Sequence, residues 1–246
     1  MLNTPEKIAQ VQETRDPLEP FNRTMFELNL WLDRLILRPT AVIYRQVFPQ
    51  PVRNGVNNAL FNLRHPWTFL NDVAQINPER AYVTLVRFAV NSTVGVLGVM
   101  DVAKGWGYPG HEEDFGQTMG ALGMGEGPYL VLPIFGPSNF RDAAGLAVDS
   151  FVDPVNYIAR DRDRDWIPIA RVAATGIDTR SRNIESLDDL EKKSIDFYAT
   201  IRSLYRQRRS DEIRNGQPGD IDPGMTRFEG SVAPEVIATD RQSTVQ

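Results

Sequence analysis

Any chemistry in this chain would begin at "HEED", residues 111–114, the most compact cluster of titratable side chains in the sequence. An imidazole beside carboxylates is the raw material of a metallohydrolase or a general acid–base pair. The spacing argues against both. Consecutive side chains do not converge on one ion, and the paired histidines four apart that a zinc protease uses are missing; His65 and His111 are the only histidines. The cluster is therefore expected on an exposed loop or as a helix cap. No Gly-x-Ser-x-Gly elbow occurs. "GALGMGEG", residues 120–127, is rich in glycine but lacks the preceding strand and following lysine of a phosphate loop. With no cysteine, thiol nucleophiles, thiolate metal sites and disulfides are excluded. No catalytic residue, metal or cofactor is assigned, and the chain is not expected to be an enzyme.

The elements that would have to position such groups read as helices. Residues 1–20 are polar and punctuated by Pro5, Pro17 and Pro20, an extended lead-in. In "FNRTMFELNLWLDRLI", Phe21, Met25, Leu28, Leu32 and Leu35 mark one helical face, while Phe26, Leu30, Trp31 and Ile36 occupy the others. A helix apolar all round is either buried in a core or in contact with lipid. Pro39 and the pair Pro49 and Pro51 divide a short helix from a longer one, which Pro66 is expected to kink or split. Pro78 opens the next helix, amphipathic through Tyr82, Leu85, Val86 and Ala89. It runs into an uncharged stretch from Phe88 to Met100, loosened by Gly95 and Gly98.

Further on, "FGQTMGALGM" predicts a short helix, and Asn139 an N-cap for a helix to about Phe151. "DRDRDW" reads as a solvated turn with a helix start at Asp165. From Trp166 to Ile213 the pattern is helical, with Ile177, Ile184, Leu187, Ile195, Tyr198, Ile201 and Tyr205 on one broad face. Arg202, Arg206, Arg208 and Arg209 suit the negative end of that helix, on a solvated face or against a partner. The fold class is mainly α: one domain over residues 21–214, one short hairpin, and a flexible polar tail over 215–246.

Two stretches resist this reading. No apolar run approaches the ~18 residues of a membrane-spanning helix. Yet "GMGEGPYLVLPIFGPSNF", residues 123–140, is uncharged from Gly127 onward and rich in Gly and Pro. Pro133 makes residues 129–135 a lone strand or a hairpin arm rather than a central strand. The opening "MLNTPEKIAQVQETRDP" lacks the pattern of a signal peptide, so the chain is expected to be cytoplasmic or to have lost a leader, with Met1 added. The net charge of −5, without a basic block, argues against a nucleic-acid partner.

Taken together, "DPLEPFNRTMFELN" (16–29), "RPTAVIYRQVFPQPVRNGVNNALFNL" (38–63), "GVMDVA" (98–103), "DFGQTMGALGMGEGPYLVLPIFGPSNFRD" (114–142) and "GIDTRSRN" (176–183) resemble the MlaA family, also called VacJ. The resemblance runs from Asp16 to about Asn215. It implies an outer-membrane lipoprotein of Gram-negative bacteria facing the periplasm, a helical ring in the inner leaflet with an amphipathic channel and a hairpin beside it. It further implies removal of phospholipids from the outer leaflet, their transfer to the periplasmic carrier MlaC, and association with trimeric porins of the OmpF/OmpC type. The family is anchored by a lipid-modified cysteine, absent here, so the anchor is expected in the full-length protein.

Physics constrains such a transporter. Exposing about thirty acyl methylenes to water costs on the order of 24 kcal/mol, and a charged headgroup cannot cross hydrocarbon dry. The resemblance therefore assigns Phe21, Phe26, Leu30, Trp31, Phe88, Val94 and Leu97 as membrane contacts. Gly123, Gly125 and Gly127 would hinge an apolar hairpin stiffened by Pro128, Pro133 and Pro137, with Gly136 also part of it. Tyr129, Leu130, Leu132 and Phe135 would face acyl chains or the ring, with Glu126 toward headgroups or water. A buried turn that merely closes the fold is the competing reading. Arg141 and Asp142 are expected to cap or pair within the fold. The rival functions are a non-transporting scaffold that binds porins and a lipid-processing enzyme, for which the residues are missing.

Overall fold

The computed structural model describes residues 16–216; the expected lead-in over 1–15 and the tail from 217 lie outside the described residues. Helix α1 (Glu19–Leu32) opens within the stretch expected to be extended. The Asp16 carboxylate starts it, accepting from the Leu18 N–H at 3.0 Å and from Asn22 Nδ2 at 3.0 Å. A π-helical turn (Asp33–Leu37) then leads directly into α2 (Arg38–Val47). Pro39 therefore does not divide the chain. A proline ring collides with the carbonyl four residues back; here the Arg38 N–H reaches back five residues to Asp33, and the wider turn accommodates the proline.

Helix α3 (Gln50–Ala74) likewise continues through Pro66 without splitting. Pro66 leaves the Asn62 carbonyl without its helical donor, and His65 Nδ1 lies 3.3 Å from that oxygen. His65 Nε2 in turn accepts from Arg87 Nε at 3.3 Å, which fixes a neutral tautomer with the proton on Nδ1. Burial and the neighbouring Arg87 push this histidine down to about 4.

Helix α4 (Pro78–Thr93) has Asn77 as its N-cap, accepting from the Arg80 N–H at 3.2 Å. It ends before the uncharged stretch is complete; residues 94–100 are turns, with Val96 and Leu97 at positive φ. Two short helices, α5 (Val102–Gly105) and α6 (Phe115–Ala121), precede the hairpin of β1 (Tyr129–Leu132) and β2 (Gly136–Asn139). Asn139 caps α7 (Phe140–Val152) through the Asp142 N–H at 2.7 Å. Helix α8 (Pro154–Asp161) follows. The single apolar face expected over 166–213 breaks into α9 (Trp166–Arg182), α10 (Ile184–Lys193) and α11 (Phe197–Ile213). Asn183 separates the first two, and Asp196 caps the third, accepting from the Ala199 N–H at 3.0 Å. Ile195, expected on the broad apolar face, lies fully exposed between them.

The packing closes into a circuit. Helix α1 lies against β1, the hairpin against α7 and α11, and α11 against α6. Helix α6 meets α3, α3 meets α9, and α9 meets α2, the continuation of α1. One small apolar cluster, Phe26, Tyr129, Val131 and Tyr198, pins the hairpin between α1 and α11. Elsewhere the usual order is reversed. Among the described residues nine apolar side chains are buried against twenty-one polar or charged ones, while thirty-six large hydrophobic side chains are exposed. Folded proteins ordinarily bury Ile, Leu and Phe and keep Arg, Asp and Glu outside unless paired.

Individual helices show how the sequence achieves this. On α4 the buried positions are Ala81, Thr84, Arg87 and Asn91, whereas Tyr82, Leu85 and Phe88 point outward. On α3 the inner stripe is Gly55, Asn62, His65, Thr68, Asn71 and Asp72, with Leu63, Leu70 and Val73 outside. Each helix is amphipathic with its polar face turned in.

Candidate functional site: the hairpin and the polar interior

The hairpin pairs Tyr129 with Asn139 and Leu132 with Gly136. Tyr129 and Val131 point into the apolar cluster; Leu130 and Leu132 are half-buried. The tip is Pro133 to Phe135, both exposed, as is Ile134, whose φ of 71° is a strained conformation for a β-branched residue. The strain is held from α1: the Ile134 N–H donates to Asn29 Oδ1 at 2.7 Å, and Asn29 Nδ2 donates to the Leu132 carbonyl at 2.9 Å. Asn22 does the same one step back, donating to the Tyr129 carbonyl at 3.0 Å and accepting from the Val131 N–H at 2.9 Å.

At the base, Gly127 has φ 68° and Gly123 has φ 92°, the left-handed region that favours glycine. Gly125 is outside that region and has open space around it, so its hinge role does not follow from its backbone. Pairing continues below the strands, with the Phe140 N–H donating to the Pro128 carbonyl at 3.2 Å and the Arg141 N–H to the Glu126 carbonyl at 3.3 Å. The Glu126 carboxylate, expected to face headgroups or water, is ion-paired with Arg206 on α11. Of the expected membrane contacts, Phe21, Trp31, Phe88, Val94 and Leu97 are exposed, and Leu30 is half-buried beside the cluster. Phe26 is a correction. It is 7% exposed, with Phe197 and Tyr198 edge-on at 5.5 Å, so it holds the hairpin and does not meet lipid.

Behind the hairpin stands an ion-pair hub that the sequence reading missed. Asp142 accepts from Arg209 Nε at 2.8 Å, Arg141 Nε at 2.9 Å, Asn139 Nδ2 at 2.8 Å and the Tyr205 hydroxyl. Arg209 also donates to both oxygens of Asp114, at 2.7 and 2.6 Å. Burial pushes both carboxyls up, but the Arg209 hydrogen bonds outweigh it and hold each below the usual carboxylate range. Arg141 and Asp142 thus pair within the fold as expected, whereas the Arg-rich end of α11 is no plain solvated face: Arg209 is buried.

"HEED" is also corrected. Asp114 is indeed a helix cap, accepting from the Gln117 N–H at 2.8 Å. Glu113, however, is 2% exposed, and it converges with His111 and Asp72, their ligand-type atoms within 4.8 Å of one another. Neighbouring residues alternate sides, so His111 and Glu113 meet through a third residue from α3. Arg80 supplies positive charge there, its Nη2 2.6 Å from Glu113 and its Nε 3.8 Å from Asp72. Thr84 and His111 donate to Asp72 at 2.6 and 3.0 Å, and Gln75 to Glu113 at 2.8 Å. The donors form a polar network around the two carboxylates, in which the buried Arg80 Nε has no hydrogen-bond partner of its own. Nearby, burial and the charge of Asp114 push Asp149 up to about 6, although the Phe115 N–H and Trp67 Nε1 donate to it at 3.1 and 2.8 Å.

Two cavities, of about 330 and 750 Å³, share the wall residues Glu112, Gln117, Arg208 and Glu212. Their accessible charges come in pairs: Arg64 with Glu112 at 2.7 Å, and Arg208 with Glu212 at 2.7 Å. The arrangement offers a polar wall of paired charges behind an apolar exterior. A sequence signal for the interior existed: Thr84, Arg87 and Asn91 recur at helical spacing, as do Asn62, His65 and Thr68.

Comparison with known proteins agrees with this geometry. The model of the MlaA lipoprotein family matches residues 14–212. The intermembrane phospholipid transport system lipoprotein MlaA of Escherichia coli (strain K12) is 37% identical over 218 residues, 86% of this chain and 82% of that protein. The protein of the same name from Haemophilus influenzae is 29% identical over 216 residues, 85% of this chain and 83% of the relative. A structure solved under the heading "Structural basis for maintenance of bacterial outer membrane lipid asymmetry" superposes with a TM-score of 0.72 at 35% identity, over 81% of this chain and 99% of that one. A family match spanning nearly every described residue, with this level of identity and the same mainly helical fold and hairpin, means that the chain belongs to the MlaA lipoprotein family.

Proposed function

We propose that this protein is the outer-membrane component of a phospholipid transport system. It lies among the lipids of the inner leaflet and withdraws phospholipids misplaced in the outer leaflet. The observation that carries the reading is the reversed polarity: buried Arg, Asp and Asn inside, exposed Leu, Ile, Val and Trp outside. Water is a poor solvent for such an exterior, and hydrocarbon a good one. No helix among the described residues is long and apolar enough to cross a membrane. Helices lying flat with apolar faces outward make contact with lipid without spanning it.

In this mechanism the headgroup passes through the polar interior while the acyl chains follow the apolar surface. The hairpin stands at the mouth, with Gly123, Gly127 and Pro128 at its base and Phe135 at its tip. Lipid leaves toward a soluble periplasmic carrier of the MlaC kind, and trimeric porins of the OmpF/OmpC type hold the ring in place. A lipidated N-terminus anchors the full-length protein. No step makes or breaks a covalent bond.

The test is the amount of surface-exposed phospholipid in the source bacterium with and without the gene. A rise on deletion, reversed by a lipidated wild-type copy, supports the proposal. An unchanged level, with porin binding intact, would transfer the role to a non-transporting scaffold.

A further inference from the structure

The accessible charges of the cavity wall come in matched neighbours, and the matching has a chemical consequence. Arg64 and Glu112 are 41% and 44% exposed, so both remain in contact with the cavity while bonded to each other. Arg208 and Glu212 form the second such couple, and Asp211, on the larger cavity, is bonded to Arg214. Of the other wall charges, Arg209 is bonded to Asp114 and Asp142 and more loosely, at 3.3 Å, to Glu212, and Arg80 is bonded to Glu113.

A ligand that enters must displace an existing partner from any charge it binds. A purely anionic phosphate can take Arg64, but it strands Glu112 without a cation; taking Arg208 leaves Glu212 only its longer, 3.3 Å contact with Arg209. A cation alone strands the arginine. A zwitterion with a phosphate and an ammonium two carbons apart exchanges with the whole couple: its phosphate accepts from the guanidinium and its ammonium donates to the released carboxylate. Every charge keeps a partner, and the exchange of exposed pairs is inexpensive because each is worth little in water.

We infer that this cavity wall selects phospholipids with a zwitterionic phosphoethanolamine-type headgroup over those with a net anionic one, by exchange with the Arg64–Glu112 and Arg208–Glu212 couples. The inference rests on the lipid-handling reading above and adds a substrate class to it.

The test uses the full chain in detergent micelles, mixed with vesicles of equal phosphatidylethanolamine and phosphatidylglycerol content, then re-isolated and its retained lipid quantified by mass spectrometry. Wild type is expected to enrich phosphatidylethanolamine about five-fold over the vesicle ratio, the scale of one exposed ion pair. The double variant E112Q/E212Q should lose that enrichment or reverse it, at unchanged helicity by circular dichroism. The charge-matched variant D161N/D163N, altered on exposed residues away from the cavity, should keep it. Equal retention of both lipids by wild type overturns the inference, as does an enrichment that follows the control instead of the cavity variant. Displacement of the lipid by equimolar soluble phosphoethanolamine would assign the site to the free zwitterion instead. Retention of no lipid at all would overturn the lipid-handling reading itself.

Discussion

Asn22 and Asn29, two helical turns apart on α1, each hold the hairpin by a reciprocal pair of hydrogen bonds to its backbone, Asn22 in β1 and Asn29 at the start of the turn. Seven helical residues rise ~10.5 Å, and the three-residue offset between the gripped sites on the hairpin covers ~10 Å. Asn22 therefore satisfies backbone groups on the edge of β1 that β2 leaves free, and Asn29 fastens the turn that follows it. The hairpin is fastened along its length to α1, and any motion of it must start at the tip or involve breaking these amides.

Replacing Asn22 with Ala strands the Tyr129 carbonyl and the Val131 N–H inside the protein. The expected cost is about 2 kcal/mol, with Asn29→Ala roughly half of that because its site is more exposed. Denaturant unfolding in detergent gives the energies, and hydrogen exchange at the Val131 amide localises them. Unchanged protection at Val131 would refute the clamp.

Asp149 sets a pH dependence with a definite sign. Its folded pKa, raised to about 6, lies above that of an unfolded aspartate, so the folded state is the tighter proton binder. Its ionised form therefore destabilises at neutral pH, and the penalty disappears as pH falls through 6 toward 4. Asp149→Asn keeps an acceptor for Trp67 and Phe115. It should melt roughly 2–4 °C higher than wild type at pH 7.5, and the gap should narrow through pH 5 and close near pH 4. A gap constant across that range would show that the carboxyl is not titrating there.

Gly127 and Gly125 separate strain from space. A side chain at Gly127 is held at φ 68° with Phe140 Cβ 3.2 Å from the new Cβ, whereas one at Gly125 meets nothing within 4 Å. Gly127→Val should cost about 1–2 kcal/mol and change lipid movement in cells. Gly125→Val should leave the melting temperature unaltered. Equal effects in the two variants would mean that the hairpin base does not depend on the left-handed turn.

Phe26 and Leu97 divide the apolar residues by role. Phe26→Ala opens the cluster under the hairpin and should destabilise by about 3 kcal/mol. Leu97→Ser, at 78% exposure, should leave detergent stability near wild type and weaken partition into vesicles, measured by co-flotation. A large stability loss from Leu97→Ser would place that loop in a core.

Much of this organisation was legible in the residues. Pro78 and Asn139 mark helix starts by local rules, because a missing N–H or a capping oxygen acts within one turn, whereas α9 begins after Asp165 without a side-chain cap. The Gly- and Pro-rich hairpin could be located for the same reason. Pro39 and Pro66 misled because their compensation is structural: a π turn upstream of one and the His65 imidazole beneath the other. Phe26 could not be told from Trp31 by type or spacing. Only the position of the hairpin, far along the chain, decides which face of α1 is covered. Asp142, Arg209 and Asp114 come from three separate segments, and no single segment announces their meeting.

The polar face turned inward changes how this sequence can drift. In most proteins a conservative change such as Asp→Asn is cheap and a core Leu→Ala is expensive. Here the interior depends on directional partners, so Asp142 or Arg87 admits few substitutes, whatever their size. The outer surface asks only for greasiness: Leu35, Ile43 or Val73 can exchange among hydrophobic residues with little consequence. Selection on such a chain should leave a negative image of the familiar pattern, with charged and amide residues held fixed and the large hydrophobics free to wander.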